Sequence, residues 1–480
     1  MTERAAQYDM VVIGAGPAGE KGAAQAAYFG KRVAIVERGK RPGGAAANNA
    51  WVPSKTLREA ALYLTGFRRR DVYEGLSLDL DPKFAVGRLR DRSNRVIDIV
   101  TNEVGANIAA HGIELVRGHA RLRPDRTVIV QADDGTTQTL AADVVLIATG
   151  SRPFHPDGID FDDPDILDSE TVLDVDEPIT ELLVVGGGAV GTEYASIFCA
   201  LGTRVTLLDN ASRLVPMMDH DVSDGLAAAL RAAGVNVVLE AGRVAVTRDV
   251  EGLRVTRPDG GEFRPDKVLF AAGRTGNTEG LDCPTAGVEL DERGRVIVDA
   301  CYRTTAAGVY AAGDVIGPPA LASVSMEQAR VAACHAFGID FKHVVDSAVP
   351  LGVYSIPEAA AVGLTEQQAA TDGIDYEIGV SPFARNSAAE ISGLTDGFVK
   401  LVFRCDDRRL IGVHVLGDSA TELVHQGQAV VRLGGTIDHF IECVYNVPSR
   451  SEAYKYAAYN GLQRLAHHPA PTIGTEGKNI

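Results

Sequence analysis

Apolar residues along this chain fall in short runs that close on glycine or on an acid, separated by longer stretches with helical spacing. Tyr8–Ile13 runs into Gly14, Lys31–Val36 ends at Glu37, Leu182–Val185 runs into Gly186, and Arg204–Leu208 ends at Asp209. Val145–Gly150 (VLIATG) and Gly308–Asp314 (GVYAAGD) repeat the form. Runs of this length bounded by glycine turns read as buried strands, and their alternation with helical stretches predicts an α/β architecture. From about Leu351 to Phe403 the pattern changes to alternating apolar and polar positions, as in an antiparallel sheet, and helical spacing follows near 418–434 and 450–465. No run approaches the roughly 18 apolar residues needed to span a bilayer, and the start MTERAAQYDM lacks the apolar core of a secretory signal. The expected location is the cytosol.

Composition narrows the partners. The 480 residues, 45% apolar and 23% charged, suit three ordinary domains. A net charge of −17 argues against nucleic acid or an anionic membrane as a partner and points to small diffusible ligands. The six cysteines, Cys199, Cys283, Cys301, Cys334, Cys405 and Cys443, show no CxxC pair and no metal-ligand spacing, so they are expected to be reduced and mostly buried. The histidines, among them His155, His220, His335, His414 and His425, stand singly. His467 and His468 sit together near a polar tail, and no metal site is expected.

Two glycine motifs stand where the strand-to-helix pattern needs them. After the first strand come Gly14, Ala15, Gly16, Pro17, Ala18 and Gly19, and Glu37 lies about 20 residues on, where a ribose-binding acid belongs. The first glycine permits a tight turn, the second lets a pyrophosphate approach the helix N-terminus, and the third lets helix and strand pack closely. The arrangement returns in Gly186, Gly187, Gly188, Ala189, Val190 and Gly191, with Asp209 at the end of the next strand. Two dinucleotides are therefore expected. At the second site a carboxylate suits both ribose hydroxyls and repels a 2′-phosphate, so NAD(H) is favoured. Arg204 and Arg213 could reach such a phosphate or be solvated charges.

Between these landmarks Gly43–Lys55 reads GGAAANNAWVPSK. It resembles the redox segment GGTCLNVGCIPSK of the pyridine-nucleotide flavoprotein disulfide reductases, with Ala46 and Trp51 where the two thiols stand. The resemblance covers nearly the whole chain, and it implies two Rossmann-like dinucleotide-binding domains, for FAD and NAD(P), plus a C-terminal α+β dimerisation domain. The implied boundaries are 1–155 with 283–345 for FAD, 156–282 for NAD(P), and 346–480 for dimerisation, so a homodimer or larger homo-oligomer is expected. By the same resemblance Gly14, Gly16, Pro17, Ala18, Gly19, Glu37, Arg38, Gly43, Gly44, Ser54, Lys55, Ala120, Thr149, Gly150, Gly313, Asp314, Leu321 and Ala322 serve FAD, with Glu37 on the adenosine ribose and Asp314 on the ribityl chain. Gly186, Gly188, Ala189, Val190, Gly191, Glu193, Asp209, Gly273 and Arg274 serve the nicotinamide dinucleotide.

Lys55 and Glu193 occupy positions that family members pair beside the flavin, where a positive charge tunes its electron affinity. In the C-terminal run YNVPSRSEAY, Pro448 and Glu452 keep the family pattern, while Val447 stands where disulfide reductases carry a histidine, with Asn446 before it. Thiols and proton carrier are absent together, so hydride chemistry must begin and end on the flavin. GSRPFHP (150–156), GTEYASIF (191–198), GRTGNT (273–278), GDVIGPPALAS (313–323), YSIPE (354–358) and SEAYKYAAYNGL (451–462) are similar to the soluble Si-specific transhydrogenase branch. That branch keeps the first cysteine and a tyrosine at the histidine position; Ala46 and Val447 depart from it. Ala189 lies where some relatives place an aromatic gate.

The leading expectation is hydride exchange between NAD(H) and NADP(H) through FAD, with Lys55, Glu193 and Trp51 at the reacting centre. The alternatives are an NAD(P)H diaphorase or quinone reductase with its acceptor near Trp51, where the indole is either a platform or a shield, and a flavoprotein that senses redox state or nucleotide with vestigial catalysis.

Overall fold

A computed structural model describes residues 6–69 and 82–467. They divide into two units: residues 6–64, 82–210 and 241–346 form one, and residues 211–240 with 347–467 belong to the other.

The first unit is built on the strand Ala6–Ile13, which pairs in parallel with Val33–Glu37 on one side and Thr137–Ile147 on the other. Glu114–Arg117 extends the sheet beyond Val33–Glu37. The long strand Thr137–Ile147 divides its length between two partners. Its first half pairs antiparallel with Thr127–Gln131, which pairs in turn with His119–Leu122, and its last residues pair in parallel with Val309–Ala311. From Met10 to Ile13 the central strand is apolar and buried at every position because both faces are covered. Met10 and Val12 point to the helices Pro17–Tyr28 and Ala322–Ala336, while Val11 and Ile13 join Leu122, Val128, Val145 and Ile147 on the opposite face. Within the same unit a second parallel sheet runs in the order Arg204–Leu208, Glu181–Val185, Lys267–Phe270, Ile166–Asp168. Chain passes between the two sheets through Ser151–Pro153 and Arg274–Gly276, which pair antiparallel.

The second unit carries a five-stranded antiparallel sheet in the order Leu351–Val353, Ala359–Gly363, Leu410–Gly417, Gly397–Arg404, Tyr376–Pro382. The alternation expected over 351–403 is present, but the sheet continues to Gly417, and the helices Glu366–Thr371 and Ser387–Ser392 interrupt it. The expected helices are Ala420–Arg432 and Glu452–Leu465. Phe403, Val413, Val415, Phe440 and Tyr454 fill the core between sheet and helices.

All six cysteines are free, but the expectation that most are buried needs correction. Only Cys283 and Cys334 are buried, and the other four are partly exposed. His468 lies outside the described residues. Among the described residues no helix is long and apolar enough to cross a membrane.

Candidate active site

Both glycine motifs form the same turn. A Cβ at Gly19 would lie 1.8 Å from the carbonyl oxygen of Gly14, and one at Gly191 would lie 1.7 Å from that of Gly186. These contacts force the third glycine of each motif and bring helix and strand together. The middle glycines differ. Gly188 has nothing within 4 Å of a built Cβ, and Gly16 has only the Cα of Gly44 at 3.6 Å, so each helix N-terminus opens on a clear backbone cradle.

The acids brace these loops. Glu37, buried at the end of its strand, accepts from the backbone N–H of Ala15 at 2.8 Å and of Gly39 at 2.6 Å. Asp209 accepts from the N–H of Gly187, the matching position of the second loop. Gly43 N–H donates to Ala15 O at 2.7 Å, and Gly44 packs against Gly16, so the 43–55 segment begins against the first loop. Thr149 and Gly150 follow the long strand. Thr149 Oγ1 donates to Asn277 O at 2.7 Å, and Asn277 Nδ2 returns a bond to Thr149 O at 3.0 Å. Gly313 packs on Ala18 and donates to Gln328 Oε1 at 2.9 Å. Asp314 accepts from Ser151 Oγ at 2.8 Å. Leu321 and Ala322 open the helix to Ala336. Ala120 sits two residues beyond Gly118, whose N–H donates to Glu37 O at 3.0 Å. The first group of predicted residues thus gathers at the C-terminal ends of the parallel strands, where this class of sheet binds dinucleotides. Arg38 is exposed beside it.

The second group gathers likewise. Gly186 abuts Ala271, next to Gly273, and the helix Ala189–Ala200 starts directly from the loop. Arg204, which could have reached a ribose phosphate, pairs instead with Glu181 at 3.2 Å, at the far end of the strand leading to Asp209. In the other unit Arg213 pairs with Asp224 at 3.0 Å.

Lys55 and Glu193 meet at 2.5 Å, each largely buried. Lys55 sits in the helix Trp51–Arg69 and Glu193 in the first turns of the helix 189–200. Ser54 is buried, with its hydroxyl on Trp51 O at 3.3 Å. Trp51 opens its helix and stays 42% exposed, so its indole does not fill the protein interior. Ala46 lies in the short helix Gly44–Asn48. Val447 and Glu452 lie in the other unit, Val447 exposed and Glu452 accepting from Ser449 N–H at 3.3 Å.

Three residues at this site, Ser151, Glu170 and Asn49, were not expected from the sequence; with Asp314 and Arg274, which were, they form a polar chain. Arg274 donates to Ser151 Oγ at 2.7 Å, to Ser151 O at 2.8 Å and to Glu170 Oε1 at 3.2 Å; Asn49 donates to Glu170 Oε2 at 2.5 Å. Burial pushes the Glu170 carboxyl above its ordinary value, more than the neighbouring Arg274 brings it down. Burial also pushes Asp168 upward, but the N–H groups of Thr171 and Glu170 and the ring of His155 outweigh it and hold this carboxyl below its usual range. Burial carries the Tyr194 phenol well above its ordinary value, and the charges of Glu193, Asp168 and Glu170 add to the rise. The only signal for Glu170 in the sequence is an acid in a turn-like stretch, DSET, which by itself means nothing specific.

The residues fit dinucleotide cofactors. A Cβ at Gly188, Gly150 or Gly273 meets nothing, leaving backbone exposed where a phosphate or ring would lie, and among the described residues the buried Asn49 Oδ1 has no hydrogen-bond partner. Comparison with known proteins agrees. A family profile described as pyridine nucleotide-disulphide oxidoreductase matches residues 8–333, and its dimerisation domain matches residues 349–458. A protein named soluble pyridine nucleotide transhydrogenase from Mycobacterium tuberculosis is 40% identical over 460 residues, covering 96% of this chain and 98% of the relative. One of the same name from Escherichia coli is 36% identical, covering 95% and 98%. Among solved structures, LpdA from Mycobacterium tuberculosis aligns with a TM-score of 0.85 at 29% identity, covering 95% of this chain and 99% of that one. The HOCl-induced flavoprotein disulfide reductase RclA from Escherichia coli, solved as a Cu(II) complex, aligns at 0.85 and 27%, covering 94% and 99%.

Proposed function

The chain belongs to the pyridine nucleotide-disulphide oxidoreductase family, and from that membership we propose that it is an FAD-dependent enzyme exchanging hydride between NAD(H) and NADP(H). The observation that carries the reading is a pair of open dinucleotide cradles joined by the Lys55–Glu193 contact, in a segment with Ala46 and Trp51 at the thiol positions. FAD, when bound, supplies a two-electron centre that takes hydride from one nicotinamide and returns it to another.

The chain's own residues bind and orient. The first loop, Glu37, Gly43, Gly44, Ser54, Thr149, Gly150 and Asp314 would hold FAD, and the second loop with Asp209, Gly273 and Arg274 the nicotinamide dinucleotide. Glu193 fixes the Lys55 ammonium, so positive charge stands ready where negative charge develops without reorganisation during reaction. No residue need carry a proton, which accords with Val447 at the family's histidine position. In this reading residues 1–155 and 283–345 form the FAD domain, 156–282 the NAD(P) domain and 346–480 the dimerisation domain of a cytosolic homodimer.

The exposed Trp51 favours one second reading, an aromatic acceptor such as a quinone stacked on the indole. Anaerobic titration separates the two. One equivalent of NADH should bleach the flavin fully, and added NADP⁺ should restore the colour with NADPH formed. Restoration by quinone but not by NADP⁺ would replace the first reading with the second, and a further equivalent of NADH consumed before bleaching would refute both, since it requires a second protein redox centre.

A further inference from the structure

Two side chains of the 43–55 segment are gripped by parts of the chain more than 100 residues away. One is Lys55, held by Glu193. The other is Asn49, whose amide donates to Glu170 Oε2 at 2.5 Å. Glu170 is itself held. Its other oxygen receives Arg274, which is fixed by two further bonds to Ser151. The N–H groups of Glu170 and Thr171 donate to Asp168 Oδ1 at 2.8 and 2.9 Å, and the buried hydroxyl of Tyr194 donates to Ser169 O at 3.0 Å. Glu193 and Tyr194 are consecutive, so one helix secures both grips.

Asn49 lies inside the stretch 46–51, whose ends carry the two thiols in the family segment. A disulfide across so short a loop would restrict it severely. Ala46 and Trp51 cannot form one. The bond from Glu170 reaches the middle of the same stretch, and it is charge-assisted and partly buried. Keeping a carboxylate charged there costs stability, since burial outweighs the nearby arginine. A partly buried ionic contact of this kind adds little as glue and is better suited to fixing one geometry.

We propose that the Asn49–Glu170 hydrogen bond, braced by Arg274, is a non-covalent replacement for the missing disulfide: it pins the junction between the helix Gly44–Asn48 and the helix that carries Trp51 and Lys55 in one geometry. Glu170 is then a positioning residue for hydride exchange. What is positioned rests on the proposed function; the clamp does not.

Hydrogen–deuterium exchange of the FAD-loaded enzyme tests it, read on peptides covering residues 44–52, with acrylamide quenching of Trp51, the chain's only tryptophan, as an independent probe. Asn49→Ala and Glu170→Ala should speed exchange of 44–52 by about tenfold, on the scale of a lost charge-assisted hydrogen bond, and leave Ala6–Ile13 unchanged. Quenching should rise, and kcat should fall more than KM changes. Glu170→Gln keeps an acceptor for Asn49 and should retain most of the protection. Wild-type exchange in Asn49→Ala overturns the proposal, and this variant decides even if Glu170→Ala fails to fold. Loss of protection in an enzyme that never transfers hydride to NADP⁺ would leave the clamp standing and remove the proposed function instead.

Discussion

Lys400 has no exposed surface, yet its ammonium is met by Asp219 at 2.8 Å, Asp221 at 2.7 Å and Glu366 at 2.6 Å. His414, equally buried, packs against this cluster and has Nε2 at 3.0 Å from Leu364 O, while its Nδ1 has no hydrogen-bond partner. Burial holds the imidazole below its ordinary value, although Asp219 pulls the other way. The unfolded chain therefore takes up a proton near pH 6.5 that the folded protein refuses, so stability falls as the pH drops below that point, by at most about 1.4 kcal/mol per pH unit. Asp219 responds lower on the scale. Burial raises it, but the Lys400 ammonium and the backbone N–H of Glu366 lower it by more, so its contribution is present above roughly pH 4 and is lost only below. Burial works against the Lys400 ammonium, yet its three carboxylates raise it overall, so its contribution persists below about pH 10 and is lost only in alkali. Thermal melts between pH 7 and 5 should show a falling Tm in the wild type and a flatter profile in His414→Gln, whose amide can still donate to Leu364 O. An unchanged slope would assign the proton to another group.

The helix Ala189–Ala200 shows how one element separates binding from folding. Gly188 and Gly191 lie a turn apart, and their substitution by alanine should have opposite signatures. Gly188 has an ordinary φ of −72° and free space around a Cβ, so Gly188→Ala should keep the Tm and the flavin content, yet weaken NADH binding by about tenfold or more, because the methyl group enters the cradle. Gly191→Ala would set a carbon 1.7 Å from Gly186 O and should cost several kcal/mol, on the order of a severe overpacking, with binding lost only as folding is lost. Isothermal titration with NADH beside a melt distinguishes them. The spacing of these glycines, the acids at the strand ends and the Lys55–Glu193 pairing were legible because each rests on local chain geometry or on a motif. The grip of Glu170 on Asn49 was not, since Glu170 stands at no motif position and the contact depends on side-chain rotamers. The partial exposure of four cysteines was missed because a free cysteine is usually a core residue and nothing local in the sequence marks these four as exceptions. The extension of the antiparallel sheet to Gly417 was missed because Leu410–Gly417 is buried at nearly every position and shows no alternation.

At the scale of the whole molecule the charge sets a condition on the reaction. The chain carries −17, and every nicotinamide dinucleotide is an anion. Within a Debye length, about 30 Å at 0.01 M salt, the net field repels the ligand, while the attractive groups, Lys55, Arg274 and two helix N-termini, act only within a few ångströms of the cradles. An enzyme with a basic cleft loses association rate as salt is added. Here the sign should reverse. Raising ionic strength from about 10 mM to 150 mM shortens the Debye length to about 8 Å, screens the repulsion and leaves the short-range contacts in place. The second-order rate of flavin reduction by NADH at limiting concentration should therefore rise, by roughly two- to fivefold, and the effect should be larger for NADPH, whose 2′-phosphate adds charge and meets Asp209. Stopped-flow traces at several salt concentrations give both slopes directly. A rate that falls with salt for either nucleotide would mean that a local positive field dominates its approach, and for NADPH it would place an arginine near the ribose where Arg204 is instead engaged by Glu181.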